Sequence, residues 1–83
     1  CMIEEKVRNL IEKDVNNLGI NIDSIEYVKE GSNYFLRITI DSNDVIDIDK
    51  CVEVTDVINP LLDEADLIEE SYILDISTKE KGE

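Results

Sequence analysis

The spacing of apolar residues changes at Gly19, and this change constrains the fold more than any other feature of the sequence. Before Gly19, apolar residues recur at the steps of a helix, so residues 2–18 carry one apolar face. These residues are Ile3, Val7, Leu10, Ile11, Val15 and Leu18. Glu4 and Glu5 lie where the positive end of the helix dipole favours acids, and glycine readily takes the left-handed conformation that ends a helix. The pattern predicts an amphipathic helix packed on a core.

Beyond the glycine, apolar residues take alternate positions, which is the period of a strand. Residues 21–30 and 34–40 alternate in this way, and the glycine-containing turn at 31–33 between them predicts a β-hairpin. Even-numbered residues of the second strand should face the helices, with odd-numbered residues on the other face. Residues 71–78 alternate again and predict a third strand, in which Ile73 departs from the pattern and is expected on the less covered face.

A second helix is predicted over residues 47–66. Its apolar residues near helical spacing are Ile48, Cys51, Val52, Ile58, Leu61 and Leu62. Asp47 suits the N-cap because its carboxylate can accept hydrogen bonds from the free N–H groups of the first turn. Pro60 donates no N–H, and its ring crowds the carbonyl group four residues earlier. We therefore expect the helix to bend or restart near residues 58–59.

The order helix, strand, strand, helix, strand predicts an α+β fold with two helices on one face of a three-stranded sheet. This order is the KH-like topology of the prokaryotic type. A chain of 83 residues has room for one core, so we expect a single domain over 1–78 and a charged, disordered tail over 79–83.

The net charge of the chain indicates which class of partner it can bind. The chain holds 21 acidic and eight basic residues, a formal net charge of −13. Such a field repels the phosphates whose neutralisation supplies most nucleic-acid affinity, so direct nucleic-acid binding by this domain is disfavoured. The same field attracts a basic protein and accelerates the encounter.

Catalysis is not expected. Histidine, the commonest general base and metal ligand, is absent. Cys51 lies on an apolar helix face and fits a small core residue better than a nucleophile. No nucleotide-binding loop is present, and no cofactor is predicted. No apolar run approaches the length of a membrane span, and a reduced, cytoplasmic protein without a membrane anchor is the expectation.

Two other kinds of binding, of a metal ion and of RNA, have partial signals in the sequence. Asp41, Asn43, Asp47 and Asp49 match ligand positions of an EF-hand loop, but Ile46 replaces the glycine of its sharp turn and Val52 replaces its bidentate glutamate. A dedicated metal site is therefore not predicted. KH-type RNA binding needs a GxxG loop between helices, and the candidate point near residues 59–60 has neither glycines nor basic residues.

Taken together, three segments resemble the N-terminal domain of the RimP family of ribosome maturation factors. They are the hairpin IEYVKEGSNYFLRITID at 25–41, the run VIDIDKCVEVTDVINPLLDEAD at 45–66 and the strand SYILDIS at 71–77, and the helix end at Leu18-Gly19 adds to the resemblance. The resemblance implies a noncatalytic factor that assists assembly of the small ribosomal subunit. It also implies docking on the immature subunit, with a basic ribosomal protein as the expected partner.

The resemblance has one departure. Family members follow the last strand with a Ser-Ser-Pro-Gly type turn that leads into a small β-barrel, whereas Thr-Lys-Glu-Lys-Gly-Glu follows Ser77 here. The chain is expected to be either a fragment ending at a domain boundary or a diverged single-domain relative. The partner surface is predicted at the acidic connection before the second helix, Asp41, Asp44, Asp47 and Asp49. A metal- or small-molecule-binding regulatory module and a KH-like RNA-binding domain remain as alternatives.

Overall fold

The computed structural model describes residues 2–42 and 46–79. Two helices and three strands follow one another in the predicted order, so the α+β fold is confirmed. The elements are α1 (Met2–Asn17), β1 (Asn21–Glu30), β2 (Asn33–Asp41), α2 (Ile48–Ala65) and β3 (Tyr72–Thr78). Gly19 has φ of 81°, in the left-handed region that ends a helix, as the sequence predicted.

The sheet has the strand order β1-β2-β3, with β1 antiparallel and β3 parallel to the central strand β2. Glu30 pairs with Asn33, so the hairpin loop has two residues, Gly31 and Ser32. Gly31 has φ of 65° and Ser32 has no positive φ, which is the pattern of a type II′ turn with glycine first. This turn suits the right-handed twist of the strands that it joins.

The core lies between the sheet and the two helices. Three buried apolar faces meet there: the stripe of α1, the even-numbered side of β2 and one side of α2. Their fully or almost fully buried residues are Val7, Ile11, Val15, Leu36, Ile38, Ile40, Val54, Ile58 and Leu62. The predicted α1 stripe and the predicted inward side of β2 are therefore confirmed. No polar side chain among the described residues is buried with them.

Helix α2 buries part of the face that its apolar residues predicted, because Ile58 and Leu62 lie in the core, but two of the predicted residues do not. Ile48 is 80% exposed and Val52 is 52% exposed, whereas Val54 is fully buried. Successive residues of a helix are turned by about 100°, so Val52 points about 160° away from Val54. The contact line at Val54, Ile58 and Leu62 leaves Ile48 and Val52 in solvent, although the sequence predicts both on the apolar face.

Pro60 does not divide α2. The helix runs without interruption from Ile48 to Ala65 with Pro60 inside it, so the predicted restart is wrong and a bend remains a prediction. At the C-cap, Asp66 has φ of 50° and its N–H donates to the carbonyl of Leu62 at 3.0 Å. A non-glycine residue in this left-handed conformation is uncommon and costs folding energy.

The predicted tail is bonded at its first residue. The N–H of Lys79 donates to the carbonyl of Ile40 at 2.8 Å, and its Nζ lies 3.3 Å from Asp23 Oδ1. Asp23 is the extra residue of a β-bulge between Ile22 and Ser24. Residues 80–83, the rest of that tail, lie outside the described residues.

Candidate functional site on helix α2

The four predicted partner-binding acids differ in their surroundings. Asp47 is the N-cap of α2, and its Oδ1 accepts the N–H of Lys50 at 2.9 Å. Asp49 is exposed in the first turn. Asp41 ends β2, and its Oδ1 accepts the N–H of Ser42 at 2.9 Å. Asp44 lies outside the described residues.

Of the three acids that the structure describes, two belong to one element. Asp47 and Asp49 stand together at the start of α2, in the helix layer. By strand alternation, Asp41 belongs to the face of the sheet opposite to the helices, because Ile40 before it is buried under them. Of the described acids of the predicted connection, Asp47 and Asp49 therefore lie in the helix layer and Asp41 does not.

Those two acids begin a longer acidic surface. The solvent side of α2, a helix about 27 Å long, carries exposed acids over residues 49–56 and again at 63–64, with none at 57–62. We call this surface the α2 acidic face and define it as Asp47, Asp49, Glu53, Asp56, Asp63, Glu64 and Asp66. The face also includes the exposed side chains of Ile48 and Val52.

The charge of this face has one sign. Within α2 there are five acidic residues and one lysine, a net charge of −4, before the acids at the two caps are added. The lysine, Lys50, places its Nζ 2.8 Å from Glu53 Oε1. The hydrogen bond to Glu53 and the attraction of that carboxylate raise the pKa of Lys50. Lys50 thus neutralises one carboxylate and leaves the rest of the face negative.

The C-terminal end of the face borders an open groove between α2 and β3, with a cavity volume of about 620 Å³. Its lining holds four acids and no lysine or arginine. The lining residues are Thr55, Asn59, Asp63, Asp66, Ile68, Glu69, Glu70, Ser71, Tyr72 and Leu74. The acidic run at 63–70 was a signal in the sequence for this groove. The sequence pattern does not predict the groove, because local spacing in this run indicates only where the helix ends and the last strand begins.

The three tyrosines of the chain lie beside this groove. Tyr27 and Tyr34 stack with their ring centroids 5.5 Å apart, and Tyr34 pairs with Tyr72 across the sheet. The hydroxyl of Tyr27 donates to Glu70 Oε1 at 3.1 Å. Burial, then this hydrogen bond, raises the pKa of Tyr27 to about 12. Burial also raises the pKa of Tyr72, and the carboxylates of Asp63 and Asp66 add to the effect.

Aromatic rings among carboxylates favour cationic ligands. The ring of Tyr34 already receives a cation, because Lys29 Nζ lies 5.5 Å from its centroid. A phosphate backbone would meet the four acids of the groove and be repelled. The arrangement therefore suits the lysine and arginine side chains of a protein better than a nucleic acid.

The described residues include no group of side chains with the spacing of a metal site. Within residues 2–42 and 46–79, no three His, Cys, Asp or Glu side chains are grouped closely enough to hold a metal ion. Cys51 is a free thiol and only partly buried, at the edge of the core. None of the helices in the described part of the chain is both long and apolar enough to cross a membrane.

Comparison with known families gives one finding. The family model of the RimP N-terminal domain matches residues 10–79. The match begins inside α1 and includes the hairpin, α2, the groove beside it and β3. It agrees with the resemblance that the hairpin and the second helix indicated in the sequence.

Proposed function

The chain belongs to the RimP N-terminal domain family, and from this premise we propose that it docks on a basic ribosomal protein of the immature small subunit. Membership implies a role in ribosome maturation, which is not an enzymatic role. In the proposal, the domain is a cytoplasmic docking module that holds the factor on a particle still under assembly. It binds through protein contacts and makes no direct contact with nucleic acid.

One observation carries the proposal: the α2 acidic face has a large excess of negative charge, with Lys50 as the single cation within α2, and two exposed apolar side chains. Ribosomal proteins that bind RNA are rich in lysine and arginine, and an acidic face steers such a partner into contact. The 80% exposed Ile48 and the half-exposed Val52 supply apolar area that is buried when the partner docks. Charge would then set the rate and orientation of the encounter, and apolar burial would hold the complex.

The predicted acids contribute to this surface in different ways. Asp49 has no role in capping the helix and is the member that we assign to direct contact. Asp47 must keep its bond to Lys50 N, so it adds charge without being free to reorient. Asp41 and Asp44 stay in the proposal as acids of the connection that leads to the face.

The experiment is co-sedimentation of the domain with small-subunit precursors from a strain depleted of the factor. The test variant is Asp49→Lys with Asp63→Lys, which reverses one acid in the first turn and one in the last turn of α2. The matched control is Glu5→Lys with Asp14→Lys, which makes the same change at the same two places in α1.

We expect the α2 variant to weaken association about tenfold or more and the α1 control to change it about twofold or less. Raising the salt concentration should weaken the wild type more than the α2 variant, because fewer charge pairs remain to be screened. Equal losses in the two variants would contradict the assignment to α2. Absence of association at low salt would contradict docking by this domain.

A further inference from the structure

The sheet has a second face that neither of the two helices in the described part of the chain covers. The odd-numbered residues of β2 lie there, together with their neighbours in β1 and β3. Val28, Phe35 and Ile73 are register partners across the three strands and form one continuous apolar row. Ile73 is 50% exposed, and Val28 and Phe35 are half-buried. The only phenylalanine of the chain is therefore outside the core.

Charged residues lie on both sides of this apolar row. Arg37 lies over the ring of Phe35 with its Cζ 5.3 Å from the centroid. Its Nη2 is 3.1 Å from Glu30 Oε2, and its Nε is 3.7 Å from Asp75 Oδ2. Glu26 is the register partner of Arg37 on the other strand. Three acids and one arginine thus surround the row, a local net charge of −2.

We propose that this open face is a docking site for an amphipathic helix whose apolar stripe is flanked by lysine or arginine. The row spans two inter-strand spacings, about 10 Å, which matches the diameter of one helix. An apolar stripe at helical spacing would cover Val28, Phe35 and Ile73, and flanking cations would reach Glu26, Glu30 and Asp75. The sheet already packs helices on its other face, so the same layer geometry is available here.

Charge decides between this occupant and a second copy of the chain. Two copies meeting through this face would bring net charges of −2 together and oppose one Arg37 to the other. An extended strand added to the sheet would pair with the edge of β3 and leave the apolar row uncovered, because the row lies on the face. A basic amphipathic helix satisfies both the apolar row and the acids.

The test uses a fluorescent 18-residue helical peptide with leucine at positions i, i+3, i+4 and i+7 and lysine on the other side. The control peptide has the same composition with the leucines distributed around the helix. Binding to the intact chain is followed by fluorescence anisotropy and by backbone amide shifts. We expect the patterned peptide to bind about tenfold more tightly than the control, with shifts at Val28, Phe35 and Ile73.

Two matched variants locate the contact. Ile73→Thr removes apolar area from the row and should weaken binding of the patterned peptide about threefold to tenfold. Val52→Thr removes apolar area of similar exposure from α2, 52% against 50%, and should weaken binding of the patterned peptide less than Ile73→Thr does. Because Val52 belongs to the α2 acidic face, a larger loss at Val52 than at Ile73 would assign the peptide to α2 and contradict the proposal. Both substitutions are at half-exposed positions, and urea unfolding of each variant checks that the fold is retained.

Three results would overturn the proposal. Equal binding of the two peptides would mean that charge alone attracts them. Shifts confined to α2 would place the contact on the other side of the molecule. Dimers in sedimentation equilibrium that dissociate on Ile73→Thr would assign the row to a second copy. Each result is independent of the subunit association expected from α2, so the two proposals can fail separately.

Discussion

Helices α1 and α2 lie side by side on one face of the sheet, yet they present different surfaces to solvent. Helix α1 carries four acidic and three basic residues, a net charge of −1, and Arg8 pairs with Glu12 at 3.1 Å. Helix α2 carries five acidic residues and one lysine, a net charge of −4. On the core side the two are alike, because each buries three aliphatic residues at four-residue spacing. The difference is confined to the solvent side.

The two solvent surfaces differ in how far helix stability explains their charges, and α2 has more charges that stability does not explain. Opposite charges four residues apart stabilise a helix, as Arg8 and Glu12 do, whereas like charges at that spacing destabilise it by a few tenths of a kcal/mol. Asp49 and Glu53 are such a like pair in α2. The negative end of each helix dipole meets acids with no basic residue in the last turn, two in α2 (Asp63 and Glu64) against one in α1 (Asp14). Asp47 caps the helix and Glu53 pairs with Lys50, but stability gives no such role to the other exposed acids of the face, which makes those acids the better candidates for binding.

The largest expected effect tests whether the helices are equivalent on their core sides. Ile11→Ala in α1 and Ile58→Ala in α2 each truncate a fully buried isoleucine. Each should lower the free energy of unfolding by about 2–5 kcal/mol, measured by urea denaturation. A loss near zero for one variant and a large loss for the other would break the comparison, because the helices would then not share the core equally.

The next effect concerns the two acids at the start of α2. Asp47→Ala removes the acceptor for Lys50 N–H and should lower the free energy of unfolding by about 1 kcal/mol. Asp49→Ala removes an exposed acid without a capping bond and should change it by about 0.5 kcal/mol or less. Equal losses in chemical denaturation would show that Asp49 supports the helix as well, and its assignment to partner contact would weaken.

A smaller effect, a gain in folding stability, is expected at the C-terminal end of α2. Asp66→Gly puts the residue best suited to a left-handed conformation at the position with φ of 50°. It also removes a carboxylate from the negative end of the helix dipole. Stability should rise by about 0.5–1 kcal/mol, seen as a higher urea midpoint with an unchanged slope. A loss of stability would mean that the Asp66 carboxylate holds this end of the helix together.

The last prediction concerns alkaline pH at the tyrosines beside α2. The folded state holds the Tyr27 proton up to a pKa of about 12, while the unfolded chain releases it near pH 10. The resulting stability is present below pH 10 and is lost as the pH rises towards 12. The free energy of unfolding of the wild type should therefore fall more between pH 9 and pH 11.5 than that of Tyr27→Phe, which lacks this proton. An identical pH dependence in both would contradict the raised pKa.

Much of the fold could be predicted from local patterns. The α1 stripe, the inward side of β2, the N-cap at Asp47 and the outward position of Ile73 follow from spacing and capping chemistry, and the structure has each of them. Less of the candidate site could be predicted. The acids of the groove lie in a run that the sequence shows plainly, but only the packing of α2 against β3 brings them to the same opening as Tyr72.

The sequence by itself determined the order of elements, the family and the excess of negative charge, because periodicity, caps and composition are properties of neighbouring residues. Only the tertiary structure decided which side of α2 is buried. Apolar residues occur around most of that helix, and the contact line with the sheet and α1 selects Val54, Ile58 and Leu62. Ile48 and Val52 remain in solvent because a helix can bury only one side against a single layer.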